Sequence, residues 1–224
     1  EQDLWLDGMT TGGLVGAVVT NQPVTIRNSL AATVARGETA VGGLVGRVDA
    51  GPIMVERSYA DSYLFSEEVV GGLLGLCQSA CDMIVADCYA AGFLDAPETS
   101  GLVAGEVGGG DSLARVYSAC APLDGNRKLT YAIGKPGSLG QARVERVYYL
   151  ADSEEETPLA GTEPVAYTQW SGENRQYAAE TKLGGAFSPD AAETYAYNLM
   201  EGLGLSVYSY PGLVGLPHYG DWQA

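Results

Sequence analysis

Short apolar runs framed by glycine recur along the first two thirds of the chain. Gly12-Gly13-Leu14-Val15-Gly16 returns as Gly42-Gly43-Leu44-Val45-Gly46 and as Gly71-Gly72-Leu73-Leu74-Gly75. Weaker copies stand at Ser100-Gly101-Leu102-Val103-Ala104 and Tyr131-Ala132-Ile133-Gly134. The leucine position moves through 14, 44, 73, 102 and 133, in steps of 30, 29, 29 and 31. A second pattern interleaves with the first. It reads Ile26-Arg27-Asn28-Ser29-Leu30-Ala31, then Val55 to Ala60, Val85 to Ala90, Leu113 to Ser118 and Val144 to Tyr149, advancing by 29, 30, 28 and 31. Two patterns drifting in step over five copies mark a structural repeat of about thirty residues.

Each run is short, rich in β-branched residues and bounded by Gly, Pro, Asp or Asn, which predicts strands joined by turns. Doubled glycines weaken a helix by about 1 kcal/mol each, and no repeat sustains a helical period. A propeller blade needs four strands and about 40–45 residues, which makes it the weaker fit. Units of about thirty residues with two or three strands suit the coils of a parallel solenoid, stacked at the strand spacing so that equivalent residues form ladders. The predicted fold is all-β, a parallel β-solenoid (β-helix) of about five coils over residues 1–150.

The ladders assign roles to residues. Leu14, Leu44, Leu73, Leu102 and Ile133 are expected to form one internal aliphatic column. Ser29, Ser58, Cys88, Val116 and Val147 are small, as a narrow interior requires. Leu30, Tyr59, Tyr89, Tyr117 and Tyr148 then point outward by strand alternation, unless a bulge turns the tyrosines in. The preceding column, Asn28, Arg57, Asp87, Arg115 and Arg146, marks a corner. There Asp87, between two arginines on neighbouring coils, predicts an ion pair contributing about 0.2–1 kcal/mol if exposed.

The pattern stops near Leu150, and the charged run Asp152-Ser153-Glu154-Glu155-Glu156-Thr157-Pro158 follows. Residues 151–224 form the predicted C-terminal cap, because an uncovered last coil would expose strand edges and core. Pro189 to Met200 is the predicted helix of this region, with Ser188 as N-cap and Pro189 in the first helical position.

Composition narrows the functional classes. The chain has 12 basic and 28 acidic residues, a net charge of −16, which repels phosphate backbones and argues against nucleic acid. No apolar run approaches the ~18–20 residues that span a bilayer, so no membrane insertion is expected. The chain opens on Glu1 rather than Met, and the expectation is a mature fragment or an artificially expressed piece, with any targeting segments lying outside it. Cys77, Cys81, Cys88 and Cys120 allow three disulfide pairings; most suit small core positions, while Cys77 and Cys81 could close a short loop. No Cys-x-x-Cys is present and the single histidine lies far from the cysteines, so no metal or cofactor is expected. His218 is the only imidazole, which leaves no motif for nucleophilic or zinc-dependent hydrolysis. Glu56 and Glu145 share a column but are separated by Ala86 and Ala114. Three steps of ~4.8 Å put them ~14 Å apart, beyond the ~5–9.5 Å of a glycosidase pair.

The repeated Gly-Gly-Leu-Val-Gly, alternating with Val-x-x-(Ser/Cys)-Tyr-Ala, resembles the GLUG repeats of bacterial surface proteins over residues 10–150. Such repeats occur in cell-surface adhesins and beside certain bacterial IgA-cleaving metallopeptidases. Tyr210-Pro211 and Leu216 to Trp222 look like a terminal segment that follows such repeats in Gram-positive surface proteins. The resemblance implies an extracellular or cell-surface, non-enzymatic stalk or adhesion module of a larger bacterial protein. Its partner would be a host or bacterial surface protein or glycan. A carbohydrate-binding module is the alternative, and a β-helix glycan-active enzyme stands third. The candidate binding residues are the aromatic row Tyr59, Tyr89, Tyr117 and Tyr148, together with Trp170 and Trp222, because flat amphipathic rings offer contact area at low entropy cost.

Overall fold

The computed structural model describes residues 5–78, 81–95, 99–108, 110–122, 132–136, 142–150, 160–165, 177–193 and 209–216. Strands dominate them, and strands of successive repeats pair in parallel. Trp5–Gly12 lies beside Val34–Gly42, while Val15–Val19 and Val24–Arg27 lie beside Val45–Glu56. The same stacking continues through Cys81–Asp95, Ser112–Pro122 and Arg143–Leu150. The chain is the expected parallel β-solenoid, closing about four turns rather than five.

The predicted corner column is present in every copy. Asn28, Arg57, Asp87, Arg115 and Arg146 all have positive φ, from 48° to 54°. A left-handed L-residue costs roughly 1–2 kcal/mol. Part of that is offset by the small residue that follows. The Ser29 and Ser58 hydroxyls each donate at 2.9 Å to the carbonyl two residues back, and the Cys88 thiol does so at 3.1 Å. The corner therefore explains the Ser/Cys of the second motif. The expected ion pair also forms: the Arg115 guanidinium donates to both Asp87 carboxylate oxygens, Nη2 at 2.8 Å. Arg57 turns instead to Asn28 Oδ1 at 3.0 Å and to the Val214 carbonyl at 2.7 Å.

The doubled glycine marks the place where the two motifs touch. A Cβ on Gly43 would stand 2.1 Å from the Gly72 carbonyl oxygen and 2.4 Å from the Ala60 Cβ. A Cβ on Gly72 would meet the Leu102 oxygen at 2.2 Å and the Ala90 Cβ at 2.7 Å. The second glycine of the first motif thus faces the alanine that closes the second motif across a pinched interior. Neither motif can slide without the other, which is why their spacings drift together.

The aliphatic column is corrected at its last two rungs. Leu14, Leu44 and Leu73 follow one another through backbone bonds, but Leu73 N–H donates to Val103 O and Val103 N–H to Ala132 O, both at 2.8 Å. Gly101 pairs with Gly71, and Ala104 pairs with both Leu74 and Ile133. The fourth copy is therefore Gly101-Leu102-Val103-Ala104-Gly105, with Leu102 in the place of the second glycine. Leu102 and Ile133 are buried, each one column away from that expected. The local Gly-Leu pair suggests a register one residue away; the parallel hydrogen bonds set the true one. Leu14 is 41% exposed, since its rung has a neighbour on one side only among the described residues.

In the C-terminal region, Thr162–Val165 adds a parallel strand to Arg143–Leu150. The helix expected at 189–200 is not formed over its first turn: Phe187–Glu193 is a strand, antiparallel to Ser209–Leu213. The pairing breaks between Ser188 and Ala191, an irregularity that spares the ladder from needing the N–H that Pro189 lacks. Residues 194–200 lie outside the described residues. A single helical turn, of π type, forms earlier at Ala178–Leu183 and ends on Gly184 with φ 91°. Two apolar clusters result. One fills the solenoid with residues such as Leu44, Leu73, Cys88, Val116 and Val147. The other lies outside the coils and joins the tyrosine column to Ala178, Leu183, Phe187 and Leu213.

Candidate functional site

The tyrosine column is positioned by the corner. Each tyrosine follows the small inward residue by one place, so alternation sends its ring out of the solenoid core. Tyr59, Tyr89, Tyr117 and Tyr148 stand in direct register, with Leu30 beside Tyr59 at one end and Glu163 beside Tyr148 at the other. Tyr59 and Tyr89 stack with ring centroids 4.6 Å apart and planes within 5°, and Tyr89 and Tyr117 stack at 5.1 Å and 7°.

The outward direction holds, but the row is not open to solvent. Tyr59, Tyr89, Tyr117 and Tyr148 are only 1–5% exposed. The C-terminal segment lies over them: Phe187 tilts onto Tyr117 at 5.8 Å, and the Lys182 ammonium sits 5.6 Å from the Tyr148 ring centre. Lys182 also binds Glu163 at 3.0 Å, tying the helical turn to the last described parallel strand. Burial pushes the Tyr89 hydroxyl well above its ordinary range, and raises that of Tyr148 against the opposing pull of Lys182. A row of rings on the outer face of a sheet is apolar surface that water disfavours, and the chain covers it with its own residues. Trp170, Trp222 and His218 lie outside the described residues.

Cys77 and Cys81 are disulfide-bonded, joining the end of Leu74–Cys77 to the start of Cys81–Asp95, whereas Cys88 and Cys120 are free core thiols. Burial pushes both free thiols up to about 12, which leaves them unreactive. Beside the disulfide, donor atoms of Cys77, Cys81 and Asp111 lie within 4.8 Å of one another. A disulfide carries no thiolate to give to a metal. The Asp111 carboxylate already accepts the N–H groups of Met83 at 3.0 Å and Gly108 at 2.6 Å. It ties the turn after Gly108 to the neighbouring coil, so this cluster is a structural corner. Burial raises the Asp111 carboxyl from 3.8 to about 6.

Glu56 and Glu145 stand where the sequence placed them, separated by Ala86 and Ala114 in register. Glu56 is bound to Arg27 at 2.7 Å, so the two carboxylates do not converge on a common point. Sequence reading passed over two other aromatics, Tyr63 and Phe65. Their signal is the parity of Tyr59-Ala60-Asp61-Ser62-Tyr63-Leu64-Phe65, in which every second residue faces outward. Both are half-buried rather than buried.

Compared with known proteins, the chain matches no family model, and neither a curated protein nor a solved structure matches it significantly.

Proposed function

We propose that this chain is a non-catalytic extracellular surface module, an adhesin-like stalk or binding domain of a larger bacterial protein. The observation that carries the reading is the parallel ladder running from Trp5–Gly12 to Thr162–Val165. Every rung adds backbone hydrogen bonds and a slice of core, so the stack is stiff along its axis and repeats its outward columns every ~4.8 Å. Its resemblance to GLUG repeats of bacterial surface proteins points the same way. So does the net charge of −16, which favours solubility in an exposed module. The groups with strongly displaced proton affinities, Cys88, Cys120, Tyr89 and Asp111, are engaged in packing rather than gathered in a cleft. The partner class is a host or bacterial surface protein or glycan.

Beads coated with the chain, passed over epithelial monolayers and bacterial lawns, test the reading. Retention severalfold above beads carrying an unrelated acidic protein is expected. Equal retention would remove the adhesive role. Release of reducing ends from polysaccharide by the purified chain would overturn the non-catalytic one.

A further inference from the structure

A second outward column runs along the same strands, six residues beyond the tyrosines. Arg36, Phe65 and Asp95 occupy successive rungs in direct register. Together with Gly37, Ser66 and Glu67 they line a surface groove of about 360 Å³. Tyr63 and Phe93, two residues before Phe65 and Asp95, place their rings 5.3 Å apart on the adjoining rung positions of the same face. The groove thus combines an aromatic ring, a guanidinium and two carboxylates, with the half-buried Tyr63 beside it and Phe93 buried behind. Arg36 and Glu67 form an ion pair at 3.8 Å, yet 62% and 67% of their side chains are exposed, so both heads stay accessible at the groove.

We propose that this groove is a saccharide subsite for the terminal units of a neutral glycan. This inference rests on the surface-module reading and deepens it. The chemistry of the lining selects the class. A sugar ring has one face of C–H groups that packs on an aromatic ring, and a rim of hydroxyls that both donate and accept. Phe65 supplies the first contact, Arg36 donates, and Glu67 and Asp95 accept. A purely apolar ligand would leave the charged heads poorly hydrated, at a cost that its burial does not offset. An anionic sugar would meet two carboxylates against one guanidinium, on a protein of net charge −16. The volume falls at the low end of small-ligand sites, about 300–1,000 Å³, which suits a short saccharide end rather than a long chain segment.

Saturation-transfer NMR on the full chain tests the proposal, with lactose, cellotriose and diacetylchitobiose as neutral probes and a glucuronate-containing disaccharide as the anionic control. Transfer to the ring protons of at least one neutral probe is expected, with less to the anionic one. Phe65→Ala should weaken that signal tenfold or more. Arg36→Gln and Asp95→Asn, which leave the ring in place, should each weaken it severalfold while the far-ultraviolet spectrum stays unchanged. No transfer from any neutral probe, undiminished binding in all three variants, or preference for the anionic probe would overturn the subsite. Bead retention separates the two readings. Retention that survives all three substitutions, with no saccharide signal, sinks the subsite alone. Saccharide binding without any retention sinks the adhesive role alone.

Discussion

Two outward columns of one sheet meet opposite ends. Tyr59, Tyr89 and Tyr117 form a stack of rings that is almost wholly buried, while Phe65, on the same strand as Tyr59 and pointing to the same side, borders an open groove. Alternation treats the two positions alike. What separates them is Phe187, Leu183 and Leu213, which come from far along the chain and pack against the tyrosines. The strand pattern decides which side of the sheet a residue faces. A distant segment decides whether that side meets water.

The largest test removes the cover. Truncation after residue 165 would expose four tyrosines in register, and the expected outcome is dye binding and self-association seen by light scattering. A monomeric truncation with an unchanged urea midpoint would show that the covering segment contributes little, and the contrast between the columns would lose its cause. Next in size, Tyr89→Ala should cost about 3–5 kcal/mol in urea unfolding, as for other large buried rings. Phe65→Ala, half-buried, should cost only about 1 kcal/mol. Similar losses at both positions would break the comparison.

The contrast between covered and open groups extends to the carboxylates. Asp111 is buried and its folded pKa is raised from 3.8 to about 6, whereas Glu67 is exposed. A raised carboxyl favours its protonated form on folding. Its stabilising contribution is therefore complete below the unfolded value and is lost as pH rises through about 6. Urea midpoints across that interval should fall with pH more steeply in the native chain than in Asp111→Asn, and parallel curves would contradict the assignment. The smallest expected effect is at the corner. Arg115→Ala should cost about 0.2–1 kcal/mol, because the Asp87 pair is partly exposed. In 1 M salt, where the screening length is about 3 Å, the loss should shrink. A larger, salt-independent loss would mean that the arginine acts through packing.

Much of this was legible in the residues, and the misses have identifiable causes. The inward Ser58, Cys88, Val116 and Val147 and the corner at Arg57, Asp87 and Arg115 follow from local chemistry repeated in every copy. The fourth glycine copy lies one residue later than its Gly-Leu pair suggests, because Leu102 replaces a glycine there. The strand at Phe187–Glu193 was expected as a helix, since Pro189 after Ser188 is a strong local start signal. Pairing with Ser209–Leu213 overrode it, and that partner is invisible in a local window. The groove at Phe65 leaves no sequence signal, because Arg36, Phe65 and Asp95 differ in type and belong to no repeated motif.

By itself the sequence determined the repeat, the parallel stacking and the corner column. These depend on spacing and alternation, which are written locally and copied at every rung. Only the tertiary structure decided the register of the fourth copy, the burial of the tyrosine column and the openness of the Phe65 groove. Each of those depends on which distant backbone or side chain arrives at a given rung, and the free energy of that arrival is shared among residues that no local pattern joins.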